Sequence, residues 1–337
     1  MNILLTGGTG YIGSHTAVVL IEAGHKVVLF DNLSNSRRDV VNRLESITNQ
    51  SLTFVEGDIR DSSLLSKAIK DFQVEAVIHF AGLKAVAESL LDPLRYYDNN
   101  VVGTIKLLEA MQKNNVTKIV FSSSATVYGD PKYLPYDEEH ATSPINPYGR
   151  TKLYIENLLY DLANSNPDWS VGCLRYFNPV GAHESGLIGE NPKGIPCNLM
   201  PYILEVAAGK YPYIKVFGND YPTHDGTGVR DYIHVTDLAD GHNLALKVLS
   251  QKKGWNVFNL GTGKGYSVLD LINCFENVNK IKLPYKFEKR RDGDLAEYYA
   301  SATKAEDFLG WKANKTLGDI CKSSWNWVVK ERDNFTC

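Results

Sequence analysis

Two side chains that could move a proton stand close together in the sequence. Tyr148 and Lys152 are four residues apart in the segment NPYGRTK, and this spacing places both on one face of a helix. A phenol with its ordinary pKa of about 10 is a poor base at neutral pH, but a neighbouring ammonium favours the phenolate. Tyr148 could then take a proton from a substrate hydroxyl. Among 19 tyrosines such a pair is also common on ordinary helix surfaces.

A serine triplet could bind the same hydroxyl. Ser122, Ser123 and Ser124 end an apolar run, and the carboxyl ends of parallel strands form the edge at which ligands bind. A serine at that edge could share the hydrogen bonds of the hydroxyl with Tyr148. Taken alone, a serine triplet after a strand is more commonly a turn.

A glycine-rich segment near the start predicts a dinucleotide site. The segment GGTGYIG, residues 7–13, follows the first apolar run and opens a helical stretch. Glycines there allow a tight turn and let backbone amides approach a pyrophosphate at the helix N-terminus. Asp31 ends the second apolar run, 18 residues after Gly13, where a carboxylate accepts hydrogen bonds from a ribose 2′-hydroxyl and repels a 2′-phosphate. NAD is therefore predicted over NADP, although Arg37 and Arg38 could hold a 2′-phosphate.

The glycine segment, the strand-end serine and the tyrosine–lysine pair occur in this order along the chain. The positive nicotinamide of oxidised NAD would add to the effect of Lys152 on Tyr148. Hydride could then leave the same carbon whose hydroxyl loses its proton. The combination, rather than any one motif, favours the catalytic interpretation.

The elements that must position these groups alternate along the first half of the chain. Short apolar runs predict strands at residues 3–6, 26–30, 52–56, 76–80, 118–122 and 171–176. Helical spacing predicts helices at residues 15–23, 63–72, 96–113 and 148–163. Because the strands are apolar on both faces, we expect a parallel sheet covered by helices on both sides. The predicted fold class is α/β, a doubly wound Rossmann-type NAD-binding sheet with a smaller mixed α/β domain for the substrate.

The alternation weakens after residue 178, where glycine and proline become dense. A strand-then-helix pattern returns at residues 230–249, and a further strand is predicted at 256–260, so this part is expected to rejoin the first sheet. The predicted NAD-binding domain is residues 1–177 with about 230–260, and the predicted substrate domain is residues 178–229 with 261–337.

Composition and charge exclude several classes of protein. The chain has 337 residues, of which 43% are hydrophobic and 22% charged, as in globular proteins. A net charge of −3 gives no basic field for nucleic acid or an anionic membrane. We find no secretory signal pattern and no apolar run of roughly 18 residues. Five scattered cysteines without a CxxC pair suggest neither a disulfide framework nor a metal site. We expect a cytoplasmic protein with no metal, membrane or nucleic-acid partner.

Long blocks along the whole chain match a known family. They are GGTGYIGSHT from Gly7, DNLSNS from Asp31, EGDIRD from Glu56, VIHFAGLKAV from Val77, YYDNNVVGT from Tyr96, FSSSATVYGD from Phe121, NPYGRTK from Asn146, LRYFNPVGAH from Leu174, CNLMPYI from Cys197, GTGVRDYIHVTDLADGH from Gly226 and RRDGDLAEYY from Arg290. With these blocks the sequence resembles the extended short-chain dehydrogenase/reductase superfamily, and within it the UDP-glucose 4-epimerase family. The resemblance implies an isomerase of nucleotide sugars, in galactose and carbohydrate metabolism, that holds NAD tightly.

The resemblance also assigns the site residue by residue. The matching cofactor positions are Gly7, Gly10, Tyr11, Ile12 and Gly13 at the pyrophosphate, Asp31, Asn32, Asn35 and Ser36 around the adenosine ribose, Asp58 and Ile59 beside the adenine, and Phe80, Ala81, Gly82, Lys84, Asn99, Ser122, Tyr148, Lys152 and Tyr176 along the rest of NAD. The matching catalytic positions are Tyr148, Lys152 and Ser124. The matching nucleotide-sugar positions are Ser124, Tyr148, Tyr176, Phe177, Asn178, Asn198, Leu199, Phe217, Arg230, Arg291, Asp294 and Tyr298. Guanidinium forks suit a diphosphate on physical grounds.

The reaction implied by the resemblance is the reversible inversion of C4 in UDP-galactose and UDP-glucose. Tyr148 acts as the base, with Lys152 and Ser124 in support, while the C4 hydroxyl is oxidised at the expense of NAD. The transient 4-keto sugar turns about its pyrophosphate linkage and is reduced on its opposite face. Such a cycle needs firm anchoring of the nucleotide and loose contacts to the sugar.

Three other functions are compatible with parts of this pattern. A nucleotide-sugar 4,6-dehydratase begins with the same oxidation, but that family uses an Asp-Glu pair where this chain has Ala125 and Thr126, neither of which can exchange a proton as a carboxyl does. A non-catalytic NAD-binding protein would not need Ser124, Tyr148 and Lys152 together. A reductase that exchanges its cofactor would not retain NAD on purification.

Two finer properties are also implied by the resemblance. Tyr298 is a bulky residue at a position where such residues exclude N-acetylated sugars, so we expect poor turnover of UDP-N-acetylhexosamines. The family further suggests a homodimer in which helices over residues 96–113 and 148–163 pack across a two-fold axis.

Overall fold

The computed structural model describes residues 1–192, 196, 198–291 and 293–335. These residues contain fourteen strands and twelve α-helices, joined by turns and loops. The strands are β1 Asn2–Thr6, β2 Lys26–Asp31, β3 Thr53–Glu56, β4 Ala76–His79, β5 Lys118–Ser124, β6 Ser170–Tyr176, β7 Asn178–Val180, β8 Ile214–Phe217, β9 Val229–Arg230, β10 Tyr232–His234, β11 Gly254–Leu260, β12 Tyr266–Ser267, β13 Tyr285–Glu288 and β14 Glu297–Tyr298. The helices are α1 Tyr11–Glu22, α2 Asp39–Thr48, α3 Ser62–Asp71, α4 Val86–Leu91, α5 Pro93–Tyr96, α6 Gly103–Lys113, α7 Pro147–Ser165, α8 Leu199–Ala207, α9 Val235–Leu249, α10 Val268–Asn279, α11 Thr303–Leu309 and α12 Leu317–Phe335.

Seven parallel strands form the central sheet, in the order β11-β6-β5-β4-β1-β2-β3. Helices cover both faces, with α1, α2, α9 and α11 on one side and α3, α6 and α7 on the other. This arrangement confirms the predicted α/β fold. The strand order reverses between β1 and β4, and ligands of doubly wound sheets bind at the carboxyl ends of the strands at such a point.

The strands are apolar throughout because each face of the sheet is covered. In β1, Ile3 and Leu5 project into one hydrophobic core and Leu4 into the other. In β4, Ile78 and Val77 are divided between the two cores in the same way. The period of two along each strand therefore places alternate side chains in two different cores.

The six predicted strands of the first half are present, each displaced by two residues or fewer at its ends. The stretch predicted as one helix over residues 96–113 is interrupted: α5 ends at Tyr96, a π-helical turn covers Tyr97–Val102, and α6 follows. The π-helical turn inserts an extra residue into the helical ladder and turns its polar side chains towards the site described below.

A third hydrophobic core lies outside the central sheet. It is formed by apolar side chains of α8, α10 and α12 with the short strands β7, β8 and β10, and includes Ile203, Val216, Phe275 and Ile320. We propose that this core is the centre of the smaller domain predicted over residues 178–229 and 261–337. Within the described residues, no helix is both long enough and apolar enough to cross a bilayer.

Candidate active site

The turn between β1 and α1 is shaped so that only glycine fits at two positions. Gly7 has a φ of +69°, and a Cβ there would lie 2.7 Å from the backbone nitrogen of Ala81. A Cβ on Gly13 would lie 2.2 Å from the carbonyl oxygen of Gly7. Gly10 is the N-cap of α1, and among the described residues a Cβ there would meet only the Gly7 oxygen, at 3.1 Å. The first turn of α1 is therefore open at its N-terminus, a cradle that fits a pyrophosphate.

Asp31 lies beside this turn at the end of β2. Its buried carboxylate accepts hydrogen bonds from the Thr9 backbone nitrogen at 3.2 Å and from the Ser36 hydroxyl at 3.0 Å. The exposed Arg38 turns away to Glu56, with 3.2 Å between its guanidinium nitrogen and the carboxylate oxygen. A fixed carboxylate with the arginine directed elsewhere fits the ribose hydroxyls of NAD and not a 2′-phosphate.

Asp58 and Ile59, predicted beside the adenine, follow β3, and Asn32 and Asn35, predicted around the ribose, follow β2. Asn32 donates to the Asp58 carboxylate at 3.1 Å. The Arg60 guanidinium also binds Asp58, at 2.8 Å, and holds the pKa of that carboxyl well below its usual range. Ile59 is buried, while Asn35 is exposed in the loop after β2.

The loop after β4 carries Phe80, Ala81, Gly82 and Lys84 and is held by an asparagine that sequence reasoning missed. The buried Asn100 accepts from the Leu83 backbone nitrogen at 2.8 Å and donates to the Leu83 carbonyl at 3.0 Å. It also donates to the Thr151 hydroxyl on α7 at 3.2 Å and accepts from Asn99 at 2.9 Å. Asn100 therefore ties the cofactor loop to the helix that carries Tyr148. The paired asparagines in YYDNNVVGT were the available signal.

Tyr148, Lys152 and Ser124 meet at the carboxyl edge of the sheet. Asn146 caps α7 by accepting from the Gly149 backbone nitrogen at 2.8 Å, and this cap places Tyr148 and Lys152 in the first turns of the helix. Ser124 is the last residue of β5. The predicted catalytic residues are thus brought together by one helix start and one strand end.

Tyr148 does not have a lowered pKa in this environment. Burial of the phenol raises its pKa, and a hydrogen bond with Ser124 and the positive charge of Lys84 oppose that effect. The Lys84 ammonium also pairs with Glu190 at 2.8 Å. A further positive charge beside Tyr148, such as an oxidised nicotinamide carries, is therefore needed to favour the phenolate.

Lys152 is buried next to Tyr148. Its ammonium donates to the Ser122 carbonyl at 2.6 Å and lies 4.9 Å from the centre of the Phe121 ring and 5.8 Å from that of the Tyr148 ring. Burial lowers the pKa of Lys152 to about 8, and the negative charge of Glu156 opposes this effect. Lys152 is therefore a cation at neutral pH but close to the point of losing its proton.

Thr126 is a second residue that sequence reasoning missed. Its backbone nitrogen and its hydroxyl lie 3.2 and 2.9 Å from the Ser124 hydroxyl oxygen, and both donate to it. Thr126 belongs to a short 3₁₀ turn, Ala125–Val127, directly after β5. The two donors orient Ser124 so that its own proton can point to Tyr148 or to a substrate. The Ser-x-Thr spacing at a strand end was the available signal.

Tyr176 ends β6 and pairs in register with Ser124 at the end of β5. Its buried hydroxyl is hydrogen-bonded to the His242 ring and to the Ser122 side chain. Ser122 and Tyr176 thus form a buried pair on β5 and β6, on neighbouring strands beneath the cofactor loop.

The aromatic rings of Tyr298, Phe177 and Tyr136 pack together into an apolar wall near the carboxyl edge of the central sheet. The Tyr298 ring centre lies 5.2 Å from that of Phe177 and 5.0 Å from that of Tyr136. The Tyr298 hydroxyl is buried and has no hydrogen-bond partner among the described residues. Parallel pairing of β14 with β9 places Tyr298 opposite Arg230, and Asn178 begins the adjoining β7. An orphaned hydroxyl in such a wall is positioned to meet a ligand.

Two arginines lie beyond this wall. Arg230 donates to the Leu295 carbonyl at 2.9 Å and lies 3.9 Å from the Asp294 carboxylate. The exposed Arg291 guanidinium lies 3.8 Å from the centre of the Phe217 ring. The predicted positions Phe217, Arg230, Arg291 and Asp294 therefore form one group, whose guanidinium nitrogens suit phosphate oxygens.

The remaining predicted positions connect the two sides. Tyr11, in the glycine turn, donates to the Gly181 carbonyl at 2.6 Å. Asn198, which precedes α8 and Leu199, donates to Glu190 at 3.3 Å, the same carboxylate that binds Lys84. Cys197 lies outside the described residues. Hydrogen bonds thus join the glycine turn to Gly181, and Glu190 joins the loop after β4 to the segment before α8.

Known proteins match the chain over nearly its whole length. The family model described as GDP-mannose 4,6 dehydratase matches residues 4–324. A UDP-glucose 4-epimerase of Bacillus subtilis (strain 168) is 54% identical over 327 residues, which cover 97% of this chain and 96% of that protein. A UDP-glucose 4-epimerase of Stenotrophomonas maltophila, solved with NAD and formylated UDP-arabinopyranose, is 51% identical with a TM-score of 0.98 over 99% of both chains. One of Bifidobacterium longum, solved with NAD+ and UDP, is 50% identical with a TM-score of 0.95 over 99% of this chain and 100% of that one.

Proposed function

This chain belongs to the UDP-glucose 4-epimerase family, and from that premise we propose how its own residues carry out the reaction. The protein is an NAD-dependent isomerase that interconverts UDP-galactose and UDP-glucose through a transient 4-keto sugar. The observation that carries the assignment of roles is the meeting of Tyr148, Ser124 and Lys152 beside the glycine turn, with Arg230 and Arg291 across the site.

The cofactor fits the cradle of the first βα turn. Gly7, Gly10 and Gly13 leave room for the pyrophosphate, and Asp31 faces the ribose hydroxyls. NAD supplies the acceptor and donor for the hydride of C4. Tyr11 of the glycine turn and Lys84 of the loop after β4 bind Gly181 and Glu190, and both would hold NAD on the side that faces the substrate.

Tyr148 takes the proton of the C4 hydroxyl and later returns it. Ser124, oriented by Thr126, donates a hydrogen bond to the same oxygen. The ammonium groups of Lys152 and Lys84 stabilise the phenolate, which is present before Tyr148 takes the proton and again after Tyr148 has returned it. With this positive charge nearby, the same residue can act as base in the first half of the cycle and as acid in the second.

The arginines anchor the nucleotide, and aromatic rings line the space beside the sugar. Arg230 and Arg291 bind the diphosphate, while Tyr298 and Phe177 present ring faces to the hexose. Interactions with the non-reacting part of the substrate keep the intermediate bound while both of its faces are presented in turn. This division of contacts fits inversion at C4 without release of the ketone.

Dehydration is the second reaction to weigh, because the matching family model is described by a 4,6-dehydratase. The 4,6-dehydratase family uses an adjacent Asp-Glu pair after the strand-end serine or threonine for the loss of water from C5 and C6. This chain has the buried Ala125 and Thr126 there, and Thr126 is engaged with Ser124. The site therefore supports oxidation and reduction at C4 and lacks the groups for elimination.

The reaction is tested by incubating the purified protein with UDP-galactose and no added NAD, with the sugar anomeric protons followed by NMR. We expect UDP-glucose to appear, which establishes inversion at C4 and a retained cofactor together. Unchanged UDP-galactose, even after NAD is added, would contradict the proposal. A signal from a 4-keto-6-deoxy sugar would favour dehydration instead.

We also propose that Tyr298 limits the substrate range. The ring packs against Phe177 and Tyr136, and its bulk narrows the space beside the hexose. Tyr298→Cys is expected to raise turnover of UDP-N-acetylgalactosamine relative to UDP-galactose, whereas the exposed Tyr133→Cys is expected to leave the ratio unchanged. An unaltered ratio in Tyr298→Cys would show that the ring does not set the range.

We propose that two copies associate through the helices predicted for a homodimer. Val102 and Ile105, at the end of the π-helical turn and in α6, are 40% and 37% exposed. Tyr154 on α7 is 53% exposed, and its ring packs against Tyr97 of the same π-helical turn. Apolar side chains exposed on adjacent helices are typical of an interface between subunits. Light scattering after size-exclusion chromatography is expected to give twice the chain mass, and Ile105→Glu is expected to reduce the measured mass.

We also propose that the enzyme is cytoplasmic and has no nucleic-acid partner. The free thiols of Cys173, Cys274 and Cys321 and the net charge of −3 support this proposal.

A further inference from the structure

A buried carboxylate continues the helix face that carries the proposed base. Tyr148, Lys152 and Glu156 follow one another at four-residue spacing on α7, so their side chains lie on the same face, one turn apart. Glu156 is 2% exposed. A carboxylate in such a position is stable only when it is paired and hydrogen-bonded.

The partner of Glu156 is an arginine on the neighbouring strand. The Arg175 guanidinium on β6 binds the carboxylate through two nitrogens, with Nε 3.0 Å from Oε1 and the terminal nitrogen 2.6 Å from Oε2. The Ser123 hydroxyl on β5 donates to the same Oε1. Glu156 therefore accepts three hydrogen bonds, from two adjacent strands of the sheet.

The hydrogen bonds of Glu156 and Arg175 extend to the serine triplet on one side and to Tyr128 on the other. Ser123 stands between Ser122, whose carbonyl accepts from Lys152, and Ser124. On the other side, Arg175 donates to the Tyr128 hydroxyl at 3.0 Å, and Tyr128 donates to Asn259 on β11 at 2.6 Å.

Asn259 extends the network towards the substrate wall. It donates to the Tyr136 carbonyl at 3.0 Å, and the Tyr136 ring packs against Tyr298. One connected set of buried hydrogen bonds thus joins α7, three parallel strands and the aromatic wall.

We propose that Glu156 is a positioning residue for proton transfer: it keeps Lys152 as an ammonium beside Tyr148 and, through Ser123 and Arg175, fixes the strand ends that present Ser124. It touches neither substrate nor cofactor and acts through Lys152 and the serine triplet. The inference rests on the proposed role of Tyr148 as the base.

The charges around Glu156 give the direction of its effect. It lies one helical turn from Lys152, binds Arg175 on β6, and its charge acts on Cys173 of the same strand. Arg175 in turn binds Tyr128 in the turn after β5 and faces Glu138, and His79 on β4 faces Lys152. Of these groups, Lys152 is the one whose pKa, about 8, lies near neutrality. Loss of the negative charge would let Lys152 release its proton at lower pH.

The experiment is the pH dependence of kcat and kcat/KM for UDP-galactose in Glu156→Gln. We expect the alkaline limb of both profiles to move down by about one pH unit, with KM at pH 7 unchanged. This single variant leaves the buried Arg175 without its counter-ion, which is strongly destabilising. The double variant Glu156→Gln/Arg175→Gln removes both charges and keeps two amides that can hydrogen-bond to each other. We expect it to fold and to show a smaller shift in the same direction.

Two controls separate positioning from simple support of the fold. Glu156→Asp keeps the charge and is expected to restore the wild-type alkaline limb. Glu331→Gln removes another half-buried carboxylate, which pairs with Arg43 between α2 and α12, and is expected to lower Tm without moving the profile. An alkaline limb that stays in place in the folded double variant, with or without a fall in kcat, would overturn the proposal.

Tyr148→Phe measured in parallel distinguishes failure of this inference from failure of the proposed mechanism. If Tyr148→Phe is inactive and the Glu156 profiles are unmoved, only the role of Glu156 is wrong. If Tyr148→Phe keeps wild-type activity, the assignment of the base is wrong, and the inference falls with it.

Discussion

Lys152 and Arg230 are both cations of the proposed site, yet they are held in different ways. Lys152 is 5% exposed, stands on a 19-residue helix and donates to a strand carbonyl. The Arg230 side chain is 22% exposed and stands on a two-residue strand, with a carboxylate 3.9 Å away. The same contrast separates Ser124, 9% exposed at a strand end, from the exposed Arg291.

The difference follows from what each side has to do. Proton and hydride transfer need reacting atoms held to a fraction of an ångström, and buried groups on long elements provide that. A diphosphate offers many equivalent oxygens, so half-exposed guanidinium groups can bind it while the attached sugar changes its orientation. The chemical side of the site is therefore rigid, and the anchoring side adaptable.

The sharpest test of the rigid side is Tyr148→Phe. Removal of the single hydroxyl that moves the proton is expected to lower kcat by about 10³-fold with little change in KM, since general acid–base catalysis contributes roughly 10²- to 10⁴-fold. NMR or a coupled assay measures the rate. Tyr160→Phe, at another exposed tyrosine of the same helix, is the matched control and should retain full activity. A fall of less than tenfold in Tyr148→Phe would place the base elsewhere.

Lys152→Met tests how far the buried charge of Lys152 lowers the free energy of unfolding. Burial lowers the pKa of Lys152 from 10.5 to about 8, so the folded state binds this proton less tightly than the unfolded one. This loss of folding stability is present in full below pH 8 and disappears as the pH rises through 10.5. We therefore expect the variant to be inactive but more stable at pH 7 by about 3 kcal/mol, a gain that shrinks towards pH 10.

Urea unfolding at pH 7 and pH 10 measures this difference in the free energy of unfolding. Lys106→Met, at a partly exposed lysine paired with Glu109, serves as the control and should show no pH-dependent gain. A variant that is less stable than the wild type at both pH values would mean that the hydrogen bond to Ser122 outweighs the burial of the charge.

The adaptable side is tested by Arg230→Ala and Arg291→Ala. Each removes charge-assisted hydrogen bonds, worth roughly 1.5–3 kcal/mol, and is expected to raise KM for UDP-galactose by about 10- to 100-fold with a much smaller change in kcat. Arg290→Ala is the matched control, because Arg290 adjoins Arg291 but binds Asp220 at 2.7 Å. An equal rise of KM in Arg290→Ala and Arg291→Ala would show that the overall positive charge of this region, and not a specific contact of Arg291, binds the diphosphate.

The smallest effect is expected from Phe217→Leu. The ring supports the Arg291 guanidinium from 3.8 Å, and a cation–π contact at an exposed place contributes about 0.5–1 kcal/mol. Steady-state kinetics should show KM raised by about two- to fivefold and kcat unaltered. A comparable fall in kcat would contradict the separation of the two sides.

Much of the rigid side could be predicted because its signals are local. Gly7 and Gly13 follow from a turn too tight for a side chain, and Tyr148 with Lys152 from the spacing of one helix. Asn100 and Thr126 were missed, since their roles depend on a π-helical turn and a 3₁₀ turn that bring them to other segments. Glu156 and Arg175 are 19 residues apart in the chain, and nothing local indicates that they pair.

The adaptable side could be predicted only through resemblance to a family. Phe217, Arg230 and Arg291 come from separate segments with short strands, and no periodicity links them. The roles given to all these residues stay predictions until the variants above are measured.

The sequence by itself determined the alternation of strands and helices, the glycine turn and the spacing of Tyr148, Lys152 and Glu156, because each depends on neighbours a few residues away. The tertiary structure decided which charges act on which groups. Lys84 faces Tyr148, Arg175 pairs with Glu156, and Arg38 pairs with Glu56. Electrostatic interactions depend on distance and burial in space, and those are settled only when the strands lie side by side and the helices cover them.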